Sequence, residues 1–168
     1  MDVLVKTPSE MFPLLKQKSV ENIFFKKYLR AVSSKTVDEL VHNLNKKIEP
    51  QINCLKCANC CKKLEPGLEN AEIEQLASSL NQDAVLFKRQ HVAFDGNELF
   101  LKAKPCLFLT NCTCTIYEKR PMACAGFPHL NTADIKYRRS FWENYAVCPI
   151  VFNVMEALKN KLNFNHGA

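Results

Sequence analysis

Cys54, Cys57, Cys60 and Cys61 stand in the pattern C-x2-C-x2-C-C, and this short run constrains the chain more than any other part of its sequence. Each two-residue gap lets a tight turn aim successive sulfurs at one centre, an arrangement that suits both zinc and iron-sulfur clusters. Five further cysteines follow, Cys106, Cys112, Cys114, Cys124 and Cys148, and none precedes Cys54. Burial as small apolar residues accounts for one or two scattered cysteines, not for this distribution. The N-terminal apolar stretch, Val3 to Val5, is interrupted at Lys6 and is too short for a signal peptide, and no uninterrupted apolar run reaches the ~18 residues of a membrane span. The expectation is a soluble, cytoplasmic protein with no membrane association. In that reducing setting structural disulfides are rare, which leaves metal ligation or redox chemistry as the reason for the cysteines.

Charge qualifies this picture. The formal net charge is +6, a figure that counts every cysteine as neutral. Eight thiolates holding two divalent ions would bring it to about +2. Lys56, Lys62, Lys63, Lys102, Lys104, Lys119 and Arg120 lie close in sequence to cysteines, where positive charge lowers thiol pKa values. The basicity therefore reads as local compensation for thiolates, and nucleic acid is not expected as a partner.

With 168 residues, 47% of them hydrophobic and 24% charged, the chain can bury an apolar core without staples. The pattern predicts a mainly α fold with irregular cysteine-rich loops and one small β-hairpin, its helices surrounding a metal-binding cysteine knot. Residues 1–50 read as an N-terminal helical segment packed on the core, and 51–168 as the cysteine-cluster metal-binding domain, together one compact domain. In the first segment Phe12, Leu15, Val20, Ile23, Phe24, Tyr28 and Leu29 recur near helical spacing and read as core-facing. Thr36 with Glu39 matches a capping box; Leu40, Val41, Leu44 and Ile48 then share a face until Pro50. Asn70 is placed to cap a helix carrying Ile73, Leu76, Ala77 and Leu80. Beyond Asp83 the text reads as β, with Val92 and Phe94 turning at Asp95-Gly96 into Leu99 and Leu101. Phe152, Met155, Leu158 and Leu162 form a last helical stripe.

The second cysteine group lies among Pro105, Pro121 and Pro128, which limit the loop conformations, and Cys148 directly precedes Pro149. Three cysteines at two-residue gaps with a distant Cys-Pro parallel the bacterial ferredoxin arrangement in part, tilting the choice toward iron. Zinc ribbons would show two C-x2-C knuckles instead.

These residues resemble the YkgJ-type cysteine-cluster (CxxCxxCC) family of zinc- or iron-chelating domains. The resemblance rests on Cys54 to Cys61, the Glu72 to Leu80 helix, Pro105-Cys106-Leu107-Phe108-Leu109, Cys114-Thr115-Ile116-Tyr117-Glu118-Lys119-Arg120-Pro121, Cys124 and Phe127-Pro128. It implies Cys54, Cys57, Cys60, Cys61, Cys106, Cys114, Cys124 and Cys148 as metal ligands. Ala58 and Asn59 stand where the family often has glycines, and Ala125 where it often has arginine; neither departure removes a ligand. Cys112 reads as a spare thiol beside Cys114. Adjacent Cys60 and Cys61 diverge if the backbone is extended, so they are expected to serve different metals, or one of them to support the other from outside the ligand set. Arg120 could hydrogen-bond thiolate sulfur or pair with Glu118, and His129 is the one histidine near the second group.

The leading functional expectation is a metal-binding protein carrying an iron-sulfur cluster or zinc and acting in electron transfer, metal handling or as an accessory to a protein partner. A relationship to S-adenosylmethionine-dependent lysine methylases through a similar cysteine cluster is a second reading. A zinc-stabilised interaction module for nucleic acid or protein is a third. Four glycines are too few for a phosphate-cradling loop or a dinucleotide fingerprint, and no H-E-x-x-H motif occurs, so no catalytic residue is assigned.

Overall fold

The computed structural model describes residues 4–102 and 104–165, so Val3 of the leading apolar stretch lies outside the described residues. The chain divides into two compact units, one formed by Met1–Cys57 with Pro128–Ala168 and the other by Ala58–Phe127. The fold is mainly α, with small antiparallel sheets.

The first unit is built on α1 (Pro8–Leu29), α2 (Ser34–Ile48), α3 (Cys54–Cys57), α8 (Arg139–Asn144) and α9 (Pro149–Lys161). Helix α1 starts on a capping box: the Thr7 hydroxyl accepts from the Glu10 amide and the Glu10 carboxylate from the Thr7 amide, with Pro8 in the first turn. Its buried residues, Met11, Phe25 and Leu29, lie on a different side from Phe12, Val20, Ile23 and Phe24, which are exposed. The stripe expected to pack therefore splits between both sides of the helix. Apolar residues occur nearly all round α1, and spacing alone does not say which side finds a partner.

Helix α2 is capped by Ser33, whose hydroxyl accepts from the Thr36 amide, three residues before the expected cap. Val37, Val41 and Ile48 are buried, and a 3-10 turn over Glu49–Gln51 ends the helix at Pro50. Asp38 reaches from α2 to accept from the amides of Asp134 (2.8 Å) and Ile135 (3.0 Å), tying down the segment before α8. Helix α9 buries Phe152, Met155 and Leu158 as its stripe predicts, and Leu162 forms its C-cap. Beside this core, Lys159 is 2% exposed and sits 2.6 Å from Glu156 and 3.3 Å from Glu21. Lys18 joins both carboxylates from α1.

Burial alone would raise the Glu21 pKa, but the hydrogen bond from Lys18 and the charges of Lys159 and Lys18 outweigh it and hold the carboxyl below its usual value. A depressed carboxyl contributes stability that is present above the unfolded-state value of about 4.3 and lost as pH falls through the folded value. Thermal melts of the protein and of Glu21→Gln should therefore differ at neutral pH and converge in acid. A gap that persists to the lowest pH would contradict this ion-pair account.

The second unit contains α4 (Asn59–Lys63), α5 (Asn70–Ser79), α6 (Ala84–His91) and α7 (Met122–Ala125). Its three-stranded antiparallel sheet has the order β1 (Gly67–Leu68), β3 (Leu99–Leu101), β2 (Val92–Phe94), and a separate hairpin joins β4 (Leu109–Thr110) to β5 (Thr113–Cys114). The Asp95-Gly96 turn forms as expected. Asp95 Oδ1 accepts from the Asn97 and Glu98 amides, and Gly96 takes φ +99°, a backbone region that favours glycine.

Two local readings differ. Helix α5 is capped by Glu69 in a reciprocal box with Glu72, one residue before Asn70. The stretch after Asp83 begins as helix α6, with Asp83 Oδ1 accepting from the Val85 and Leu86 amides. Only Phe87 of α6 is fully buried while Val85 is exposed, so the helix lacks the apolar periodicity that would have revealed it. Leu68, Ile73, Leu76, Ala77, Phe87, Leu101 and Phe108 form this unit's core, and Cys106 and Cys114 pack against it.

Candidate metal centre

In the second unit, four stretches of chain bring cysteines together. Helix α4 carries Cys60 and Cys61. The main-chain amide of Cys106 donates to the Cys61 carbonyl (2.8 Å), joining the loop before β4 to α4. The β4–β5 hairpin pairs Leu109 with Cys114, and Leu109 donates to the Cys106 carbonyl (3.0 Å), so one small element locates both Cys106 and Cys114. Its two-residue turn, Asn111-Cys112, has positive φ at both positions, the geometry that tight hairpins demand. Cys124 lies on α7, whose Met122 amide donates to Glu72 Oε1 (2.7 Å).

Burial and neighbouring charge act on these thiols unequally. Burial pushes the Cys124 thiol up to about 12, and thiolate charge at Cys106, Cys61 and Cys114 adds to the rise while Arg120 opposes it. Burial also raises Cys106, with further contributions from Cys61 and Cys114. Cys61 moves the other way, held down to about 6 by its hydrogen bond with Cys60 and by the positive charges of Arg120 and Lys62, which together outweigh burial. Charge at Cys61 and Cys114 thus acts on both Cys106 and Cys124. Among the described residues no three or more histidine, cysteine, aspartate or glutamate side chains form a ready-made ion cage.

Cys60 and Cys61 are on helix, not on the extended backbone assumed from sequence, and their sulfurs lie 3.9 Å apart. Two sulfurs on one tetrahedral zinc, each at about 2.3 Å, would be about 3.8 Å apart. The premise for their divergence therefore does not hold. Arg120 stacks on the Tyr117 ring, 3.7 Å from its centroid, and its charge favours the thiolate form of Cys61 and Cys124. Cys112, at the hairpin tip, has the Lys62 amine 3.4 Å from its sulfur.

In the first unit Cys54 and Cys57 open and close α3, a single turn led by Asn53, whose carbonyl accepts from the amides of Lys56 (3.2 Å) and Cys57 (3.1 Å). The i, i+3 spacing puts both on one side of the turn. Cys148 is the N-cap residue of α9, and the Val151 and Ile150 amides near its thiol favour the thiolate form. Burial pushes that thiol up to about 12, and Cys54 and Cys57 are the charged neighbours that raise it further. His129 also belongs to this unit, with left-handed backbone at φ +60°.

A family model described as "CxxCxxCC: Putative zinc- or iron-chelating domain" matches residues 53–148. The chain belongs to the CxxCxxCC family. No curated protein and no solved structure matches it. The matched CxxCxxCC segment contains all nine cysteines, and its description names metal chelation as the family's chemistry. The thiols present suit that description: deprotonated sulfur is a ligand for both zinc and iron. Among the described residues no helix is long and apolar enough to cross a membrane.

Proposed function

We propose that this CxxCxxCC protein holds metal through thiolates, with Cys61, Cys106, Cys114 and Cys124 as the sulfur set of the second unit and Cys54, Cys57 and Cys148 as sulfur ligands of the first. The observation that carries the reading is the joining of separate cysteine-bearing stretches, Cys106 to the Cys61 carbonyl and, through Leu109, to Cys114, with Cys124 close enough for their charge to act on it. Unligated thiols have no reason to gather in a half-buried site, where each opposes its neighbour's ionisation; a cation repays that cost. Cys60 supports the arrangement through its hydrogen bond with the Cys61 sulfur, which favours the Cys61 thiolate. Arg120 and Lys62 hold positive charge beside the same sulfur and offset the anionic set.

Of the two metals named by the family, iron, as an iron-sulfur cluster, is the reading we adopt, with electron transfer or metal handling as the role. A donor set made of sulfur alone supports it. When bound, such a cluster supplies one-electron chemistry. The protein's own residues hold the sulfurs, pack Cys106 and Cys114 against the Phe108 and Leu101 core, and place Arg120 near the charge of Cys61 and Cys124.

Anaerobic purification followed by absorbance near ~400 nm, with iron and sulfide analysis, tests the choice of metal. Colour with matching iron and sulfide supports it. Colourless protein with stoichiometric zinc would overturn the iron version and leave thiolate ligation standing. Native mass spectrometry of reduced protein showing only the bare polypeptide mass would overturn both.

A further inference from the structure

In the first unit a hollow of about 430 Å³, lined by no cysteine, opens between the C-terminal end of α1, the 3-10 turn Ile135–Tyr137 and α8. Trp142 forms one wall. Its indole N–H donates to the Lys136 carbonyl (2.9 Å), and Phe25 and Phe141 meet the ring edge-on, so the ring is held in one orientation before any ligand arrives. Around it stand Lys26, Arg30, Lys136 and Arg139, against one carboxylate, Glu143, which Arg139 already engages at 2.6 Å.

The cations are unequally satisfied. Lys136 is buried and donates to the Leu29 and Val32 carbonyls, which use two of its three N–H donors and leave its charge beside the cavity. Lys26 lies over the Trp142 ring, 5.2 Å from its centroid. Among the described residues no carboxylate pairs with Lys26 or Arg30. Compensation of the α1 dipole accounts for cations at that helix end, but not for Arg139, which begins another helix.

We infer that this hollow binds a small organic anion bearing a flat ring, the ring lying against Trp142 and the anionic group meeting Arg30 and Lys26. A fixed aromatic ring beside cations that no carboxylate neutralises is suited to recognising both parts of such a ligand, and the volume falls within the range of small-molecule sites. No proposed metal ligand lines the site.

Trp142 is the only tryptophan in the chain, so its fluorescence reports directly on the hollow. The as-purified protein would be titrated with adenosine monophosphate, and separately with adenosine and with inorganic phosphate. Saturable quenching by the monophosphate is expected, with each half alone at least about tenfold weaker, the factor that one charge-assisted hydrogen bond supplies. Arg30→Glu, at an exposed position, should weaken the monophosphate at least about tenfold while leaving the circular dichroism spectrum unchanged. No saturable response up to about 5 mM would overturn the inference. So would equal binding of adenosine, equal binding of phosphate, or an Arg30→Glu protein that is folded and binds normally.

Discussion

Alanine at any one of Cys61, Cys106, Cys114 or Cys124 should strip the second unit of its metal, read as the fall in metal per polypeptide by elemental analysis. The four sulfurs are electrostatic neighbours, and removing one leaves an incomplete set in a half-buried site. Affinity should drop by more than about 100-fold, the upper end of what changes around an intact ligand set produce. Cys112→Ala should keep the full metal content, because its sulfur faces the Lys62 amine at the hairpin tip. Cys60→Ala should fall between these extremes, losing affinity within about 10- to 100-fold because it removes a hydrogen bond to a ligand and no ligand. If Cys60→Ala emptied the site as completely as Cys61→Ala, Cys60 would itself be a ligand and the assignment above would need revision. If Cys124→Ala kept its metal, the four-sulfur set would be wrong.

Lys159→Ala should be the most damaging single charge removal in the first unit. The amine is 2% exposed and lies 2.6 Å from Glu156 and 3.3 Å from Glu21, so its loss leaves two carboxylates facing each other with only Lys18 between them. Breaking a buried pair by deleting one partner costs about 3–5 kcal/mol, and the lower end applies because both carboxylates keep some solvent access. In a chain of this size about 3 kcal/mol corresponds to a fall of about 6–12 °C in melting temperature. Lys159→Met, which retains an apolar stem but loses the ammonium that lies over the Phe25 ring, should recover the packing part of the loss and none of the charge part. A change below about 1 kcal/mol in Lys159→Ala would put the network in the class of surface pairs that contribute little.

Much of the fold was legible because local signals agreed with the packing. In α2, Val41 and Ile48 fall on the buried side and Pro50 ends the helix; in α9, Phe152, Met155 and Leu158 are buried as spaced. The Asp95-Gly96 turn announced its hairpin through residue chemistry alone. The second hairpin was hidden, since Asn111-Cys112 lacks the glycine that usually marks such a turn. Helix α6 was hidden by having one buried residue, although Asp83 was a cap signal that could have found it. Leu80, counted with the apolar side of α5, forms that helix's C-cap and is exposed.

Sequence by itself determined the family and the kind of atom that does the chemistry: the cysteine spacing is a local property of the chain, and thiolate is a metal ligand in any fold. Which sulfurs become neighbours was decided only by tertiary structure. The link from Cys106 to the Cys61 carbonyl, the β4–β5 register and the Glu72 contact to α7 join residues up to 50 positions apart. Such contacts follow from packing and hydrogen bonding between distant stretches, which no spacing within a motif encodes. The same holds for α1, whose apolar residues nearly encircle the helix and were sorted into buried and exposed only by what packed against them.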